Sequence, residues 1–137
     1  MQNTQPTFDD VIARLKSEQA QEAAMVAQQA IQQRMDTYYP DTYTYGNCTA
    51  YVASQRGVPN WWGNADTWAY YAQQEGWDVT NQPIIGAIAQ TTAGWAGHVA
   101  LVTGVESDSV MVKEMNVEGL GVVDTQDYPT QYFKYIY

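Results

Sequence analysis

The stretch GHVALVTGVESDSVMVKEMN, residues 97–116, decides the architecture of the chain. Two β-prone runs, HVALVTGV and SVMVKEMN, flank the polar turn signal VESDS, a pattern typical of an antiparallel hairpin. Side chains alternate between the faces of a strand, so Glu114 and Asn116 share one face of the second run, and His98 begins the first. The hairpin therefore groups three polar side chains that could act together.

The register of this hairpin decides whether the three side chains meet. Two registers bring them to one face. In one, His98 opposes Glu114 and the turn centres on Glu106; in the other, His98 opposes Asn116 and the turn centres on Ser107. The prediction therefore demands a turn of odd length, or a β-bulge that resets the alternation.

Helical segments precede the hairpin and further strands surround it. Asn47 and Asn64 are predicted N-caps of helices over residues 48–56 and 65–75, which end at Gly57 and Gly76. Further β-prone runs are PIIGAIAQ (83–90), GLGVVDTQ (119–126) and QYFKYIY (131–137). Helices first and strands later indicate an α+β domain with a mainly antiparallel sheet.

The first 36 residues form a separate segment by composition. Residues 8–36 contain no Gly or Pro and should be helical, and Thr7 with Asp10 resembles a capping box. The middle of this helix, KSEQAQEAA, is polar, so we expect an arm that is only partly packed and that could bind a partner protein or a second copy. We therefore divide the chain into an N-terminal helical arm, 1–36, and a domain, 37–137. The first residues, MQNTQPTFDD, lack the features of a secretory signal.

Composition excludes several classes of function. A net charge of −9 disfavours binding to nucleic acid, which needs clustered Lys and Arg. One cysteine allows no internal disulfide, and one Cys with one His makes a structural zinc site untenable. No apolar run approaches the ~20 residues that cross a bilayer. We expect no cofactor, no metal and no membrane span.

The single cysteine begins the helix predicted in YTYGNCTAYVASQRG, residues 43–57. A helix N-terminus favours a thiolate, so Cys48 is a candidate nucleophile, and His98 is the only histidine available as its base. Glu114 or Asn116 would then accept a hydrogen bond from the second ring nitrogen. Taken singly, a lone Cys is more often inert core and a lone His more often structural.

Two further features would complete such a site. The Cys48 N–H would meet an oxyanion, with Tyr43 or Tyr45 as a second donor. Tryptophans in or next to loops either pack over the edge of the core or line a groove. Trp95, three residues before His98, is our first candidate for a cleft wall.

Four sequence words occur in order: YGNCTAYVA (45–53), GNADTWAYYAQQEGW (63–77), GHVALV (97–102) and KEMN (113–116). Together they resemble the CHAP family, the cysteine- and histidine-dependent amidohydrolases/peptidases. The resemblance covers residues 38–137. Within the family, the sequence is most similar to secreted and phage-encoded bacterial cell-wall hydrolases.

The resemblance implies a papain-like α+β fold and cleavage of an amide bond in bacterial peptidoglycan. The bond would lie either at the sugar–peptide junction, as for an amidase, or within the peptides, as for an endopeptidase. By position, Cys48 is the nucleophile, His98 the base and Glu114 the orienting acid, while Asn116 matches a fourth polar residue of many members. A secreted or phage-encoded protein is implied; the alternative is an inactive CHAP-like binding or assembly module.

The resemblance also suggests substrate contacts. The loop around Asn64, with Trp61 and Trp62, is similar to an aromatic loop beside the cleft of the family. The chain departs from many members before and after the cysteine, where Asn47 and Ala50 replace Gln and Trp. These departures bear on the shape of the subsites. We expect no calcium site, because the acids before Cys48 are too sparse for a loop of alternating ligands.

Overall fold

The computed structural model describes residues 4–137, and residues 1–3 of the predicted arm lie outside the described part. The helices are α1 (Phe8–Met35), α2 (Cys48–Gln55) and α3 (Trp68–Gln74). The strands are β1 (Val79–Thr80), β2 (Ile88–Thr91), β3 (His98–Val105), β4 (Ser109–Met115), β5 (Val123–Pro129) and β6 (Lys134–Ile136). Short 3₁₀ turns span Ala65–Thr67 and Thr130–Tyr132. Helices precede strands, and the α+β prediction is confirmed.

The six strands form one antiparallel sheet in the order β1-β6-β2-β3-β4-β5. The hairpin of β3 and β4 lies inside this sheet, with β2 on one side and β5 on the other. Neighbours on both sides hold the backbone of the hairpin in place. Side chains on its faces are therefore fixed by the sheet rather than by a mobile loop.

A β-bulge in the hairpin places His98 and Glu114 on the same face, which is one of the two ways that the sequence predicted. Next to the turn, Val105 pairs with Val110, but beyond Thr103 the register shifts so that Leu101 pairs with Lys113. The turn is not centred on Glu106 or Ser107: the Glu106 N–H donates to the Ser109 carbonyl at 2.9 Å, which leaves a two-residue loop. The extra residue at Thr103 restores the alternation that His98 and Glu114 need to share a face.

The two faces of the sheet are both covered. One face packs against α1 through an apolar cluster that includes Ala27, Ile31, Ala89, Ala100, Val102, Val110, Val112 and Tyr135. The other packs against α2 and α3 through Tyr51, Val52, Trp62, Trp68, Trp77, Ile88, Val99 and Ile136. Neighbouring residues of β2 and β3 fall into opposite clusters, as the strand alternation requires.

Helix α1 begins with the predicted capping box. The Thr7 hydroxyl accepts the Asp10 N–H at 3.1 Å, and the Asp10 carboxylate accepts the Thr7 N–H at 3.0 Å. Only Ala27 and Ile31 of this helix are buried, both in its C-terminal half. The helix is thus partly packed, as expected. None of the helices in residues 4–137 has both the length and the apolar character needed to cross a bilayer.

Several element boundaries differ from the sequence predictions. Residues 83–87 do not join β2, because Pro83 cannot donate to a ladder and Gly86 adopts a φ of 92°. The predicted helix over 65–75 begins as a 3₁₀ turn, and Asn64 makes no side-chain cap. Strand β5 runs further than predicted and includes Tyr128.

Candidate active site

Cys48 is the first residue of α2, and its thiol lies where helix N–H groups are unpaired. Asn47 occupies the N-cap position in an extended conformation (φ −90°, ψ 160°), as predicted, but its side chain does not cap the helix. His98 and the backbone N–H groups of Thr49 and Val99 face the sulfur and stabilise negative charge on it. Three donors around one half-buried sulfur favour its anionic form.

His98 begins β3 and lies between Cys48 and Glu114. Its Nε2 is 2.9 Å from Glu114 Oε1, which leaves Nδ1 as the ring nitrogen for the Cys48 sulfur. The Glu114 side chain is fully buried and that of His98 is 17% exposed, so water does not compete for the carboxylate. The carboxylate thereby fixes the tautomer and orientation of the ring.

The charges of these three groups depend on one another. Burial alone would lower the pKa of His98, but hydrogen bonds to Cys48 and Glu114 and their negative charges outweigh burial and raise it to about 9. Burial would likewise raise the pKa of the Cys48 thiol, yet the donors from His98, Val99 and Thr49 bring it below its ordinary value. At neutral pH the arrangement favours a thiolate beside an imidazolium.

The structure chooses between the two acceptors that the sequence left open. Glu114, not Asn116, bonds to His98. Asn116 follows β4 with a φ of 70°, and its side-chain Nδ2 donates to Asn47 Oδ1 at 3.1 Å. Asn116 therefore lies at the site but supports the residue before the cysteine instead of the histidine ring.

A cleft of about 270 Å³ opens beside Cys48 and His98. Three of the residues predicted to contact substrate line it: Asn47, Asn64 and Trp95. Trp95 is 95% exposed, on a loop in which Gly94 and Gly97 adopt positive φ angles of 80° and 73°. This exposed indole is available to stack on a ligand in the cleft.

The two tyrosines before the cysteine are not positioned as oxyanion donors. The Tyr43 hydroxyl donates to the Pro59 carbonyl at 2.5 Å, so its proton is already used. Tyr45 is exposed and, like Tyr43, lines a separate cavity of about 220 Å³ that does not include Cys48 or His98. The expectation of a tyrosine donor is therefore corrected, because the Tyr43 hydroxyl is bonded to Pro59 and both tyrosines line a cavity apart from Cys48.

Two of the loop tryptophans are also placed elsewhere. Trp62 is fully buried, edge-on to Trp68 and Trp77 with ring centroids 5.8 Å and 4.6 Å away, and cannot contact a ligand. Trp61 is half exposed, but its indole N–H donates to Glu75 at 2.7 Å and it does not line the Cys48 cleft. Both bind Glu75, which ties their loop to the end of α3.

The sequence reasoning missed two residues that contact Glu114, namely Tyr128 and Asp124 of β5. The available signal was the alternation along DTQDY, which places both on one face of a strand. Within residues 4–137, no group of three or more His, Cys, Asp or Glu side chains is arranged to hold a metal ion.

A family model, several known proteins and a solved structure match this chain. The model of the CHAP domain matches residues 38–116, more than half of the chain. Staphylococcal secretory antigen SsaA from Staphylococcus aureus is 50% identical over 88 residues, which are 61% of this chain and 34% of that protein. The antigen of the same name from Staphylococcus epidermidis is 48% identical over 88 residues, with the same coverage.

One solved structure resembles the fold of this chain. The crystal structure of an N-acetylmuramoyl-L-alanine amidase from Staphylococcus aureus superimposes with a TM-score of 0.61 at 27% identity. The match covers 73% of this chain and 34% of the amidase. The chain thus spans about a third of the length of the relatives it matches.

Proposed function

Because this chain belongs to the CHAP domain family, we propose that it hydrolyses an amide bond of bacterial peptidoglycan, with Cys48 as nucleophile. The observation that carries the proposal is the chain of contacts from the Cys48 sulfur through His98 to the buried Glu114. The likeness to an N-acetylmuramoyl-L-alanine amidase favours the bond between sugar and peptide over a bond within the peptides.

The proposed reaction uses the ion pair directly. The Cys48 thiolate attacks the carbonyl carbon, and the carbonyl π electrons move to oxygen. His98 Nδ1–H protonates the leaving amine as the C–N bond breaks, which leaves an acyl group on sulfur. Water then attacks this thioester while His98 takes its proton, and the C–S bond breaks to release the acid and restore the thiolate.

The developing oxyanion needs two donors near Cys48. The Cys48 N–H lies in the first turn of α2, where helix N–H groups have no intrahelical acceptor. We assign the second donor to the side-chain Nδ2 of Asn47, since its Oδ1 is held by Asn116. In this assignment Asn116 contributes by orienting that amide.

The cleft residues would hold the substrate on either side of the reacting bond. Trp95 offers an exposed aromatic face on one wall, and Asn64 contributes an amide that can bond to peptide or sugar groups. We further propose that residues 37–137 are the catalytic unit and residues 1–36 an arm that binds a partner. The relatives are named secretory antigens, which supports a place outside the cell for this protein.

Digestion of purified cell walls, followed by mass spectrometry of the fragments, tests the proposal. Amidase action would release whole stem peptides with free N-terminal amines, whereas endopeptidase action would create new amines within the peptides. Cys48→Ala should abolish both while the fold persists. A Cys48→Ala protein as active as the wild type would refute the mechanism.

A second measurement separates an enzyme from an inactive binding module. Iodoacetamide alkylates a thiolate rapidly at neutral pH but reacts slowly with a buried thiol. Rapid alkylation of Cys48 without any cleavage of cell walls would support a reactive thiolate at Cys48 but would refute peptidoglycan as the substrate. Slow alkylation would favour the inactive module.

A further inference from the structure

The Glu114 carboxylate is fully buried and is shared by two strands on either side of it. His98 from β3 approaches Oε1 at 2.9 Å. From β5, the Tyr128 hydroxyl lies 2.9 Å from Oε1 and 3.0 Å from Oε2. A buried carboxylate is stable as an anion only when donors compensate for the loss of water, so the hydroxyl of Tyr128 bears on its charge.

The ring of Tyr128 is held firmly in this position. It stacks on Tyr132 with centroids 5.3 Å apart and planes at 13°, and it meets Phe133 edge-on at 5.0 Å. Phe133 is itself buried in the cluster under α1. The hydroxyl is therefore aimed at Glu114 by packing rather than by the hydrogen bond alone.

A second carboxyl group acts against the charge of Glu114. Asp124 lies directly opposite Glu114 in the β4–β5 register. Its Oδ1 is buried without a hydrogen-bond partner in the described part of the chain, and burial together with the negative charge of Glu114 raises its pKa. The titratable groups that face Glu114 are thus His98 from β3 and Asp124 and Tyr128 from β5, while Glu118 adds negative charge near Asp124.

We propose that Tyr128 is a positioning residue for the reaction: by donating to the Glu114 carboxylate, it keeps that group turned toward His98 Nε2. Without the hydroxyl, Oε2 loses its donor while Asp124 still repels the charge. The carboxylate would then be free to turn away from Nε2, the imidazolium would lose its nearby counter-charge, and the Cys48 thiolate would become scarcer. For turnover the inference rests on the proposed function, but for the state of Cys48 it does not.

The test is the rate of alkylation of Cys48 by iodoacetamide in Tyr128→Phe, measured from pH 4 to pH 9. We expect the acid limb to move to higher pH, with a roughly tenfold lower rate at pH 6, as for loss of a hydrogen bond to a charged group. Tyr132→Phe is the matched control, because it keeps its ring and its hydroxyl makes no hydrogen bond within residues 4–137. A Tyr128→Phe profile that superimposes on the wild type overturns the proposal.

A double variant distinguishes an effect that acts through Glu114 from general damage to the fold. If Tyr128 acts through Glu114, Tyr128→Phe should lower the rate little further in a Glu114→Gln background. A full, additive loss there would instead indicate general damage and would reject the role. If cell walls remain uncut by the wild type while the alkylation profile still shifts in Tyr128→Phe, the proposed substrate fails and the positioning role stands.

Discussion

Glu114 contacts His98 diagonally across the sheet, with 2.9 Å between Oε1 and Nε2, in a register that pairs Leu101 with Lys113. The β-bulge at Thr103 makes this contact possible, because without it Glu114 would point to the opposite face. The carboxylate therefore reaches the ring from within the core of the sheet, where its charge is least screened.

Replacing Glu114 by Gln tests the value of that charge. The amide oxygen can still accept from Nε2, but the imidazolium loses its counter-charge, so the pKa of His98 should fall and the thiolate become scarcer. We expect turnover at pH 7 to drop roughly 10- to 100-fold with little change in KM. Glu106→Gln, at the exposed turn of the same hairpin, is the control. Equal activity of the two variants would contradict the role.

The thiolate–imidazolium pair should also shape stability against pH. Between the ordinary His value of 6.5 and about 9, the native pair holds its proton on His98 and the unfolded chain holds it on Cys48. Both states then bind one proton, so the contribution of the pair is constant. Below 6.5 the unfolded chain binds more protons, so the stabilisation is lost as pH falls. Above about 9 the native His98 and the unfolded Cys48 both release their proton, so the contribution stays level.

Urea titrations of the wild type and of Cys48→Ala/His98→Gln between pH 4.5 and pH 10 measure this. The difference in unfolding free energy should rise from pH 4.5 to about 6.5 and stay level at higher pH. A difference that continues to rise between pH 6.5 and pH 9 would mean that His98 is neutral in the native protein.

Asp124 offers a third prediction. Its pKa is raised in the folded state, above the ordinary 3.8, so its stabilising contribution exists at low pH and is lost as pH rises through the folded value. At pH 7 its charge therefore destabilises the fold. Asp124→Asn should raise Tm by a few degrees at pH 7 and by less at pH 3. Asp127→Asn, exposed on the same strand, should change neither.

Local patterns predicted the elements of the site but not every contact. The capping box at Thr7, the helix beginning at Cys48 and the alternation of the hairpin depend on neighbours in sequence, and they are confirmed. The burial of Trp62 depends on Trp68 and Trp77, which come from other elements. No local pattern distinguishes such a tryptophan from one that lines a cleft.

The partners of Glu114 illustrate the same limit. The hydroxyl of Tyr128 reaches the carboxylate only because β5 pairs with β4 in the observed register. Which residues of two paired strands lie opposite each other follows from the packing of the whole sheet, not from the residues of one strand. Likewise, the preference of Asn116 for Asn47 over His98 follows from a φ of 70° beyond the end of β4.

Gly97 provides a last prediction, about the backbone that places His98. A Cβ there would lie 2.6 Å from the Asp66 nitrogen and 2.7 Å from the Thr91 oxygen, both backbone atoms that cannot move aside. The Asp66 N–H also donates to the carbonyl of Ala96, the residue before Gly97, at 3.0 Å, so the clash would disturb this hydrogen bond. Gly97→Ala should therefore separate the 3₁₀ turn from the start of β3 and displace His98 from Cys48.

The matched control is Gly94→Ala in the same loop. Gly94 has a similar φ of 80°, but no atom lies within 4 Å of its added Cβ. We expect about 1 kcal/mol of destabilisation for Gly94→Ala from the left-handed conformation alone, and at least about 2 kcal/mol more for Gly97→Ala from the clash. Urea denaturation gives the stabilities, and iodoacetamide reports the thiolate. If both variants lose the same stability and keep rapid alkylation, close packing at Gly97 does not position His98.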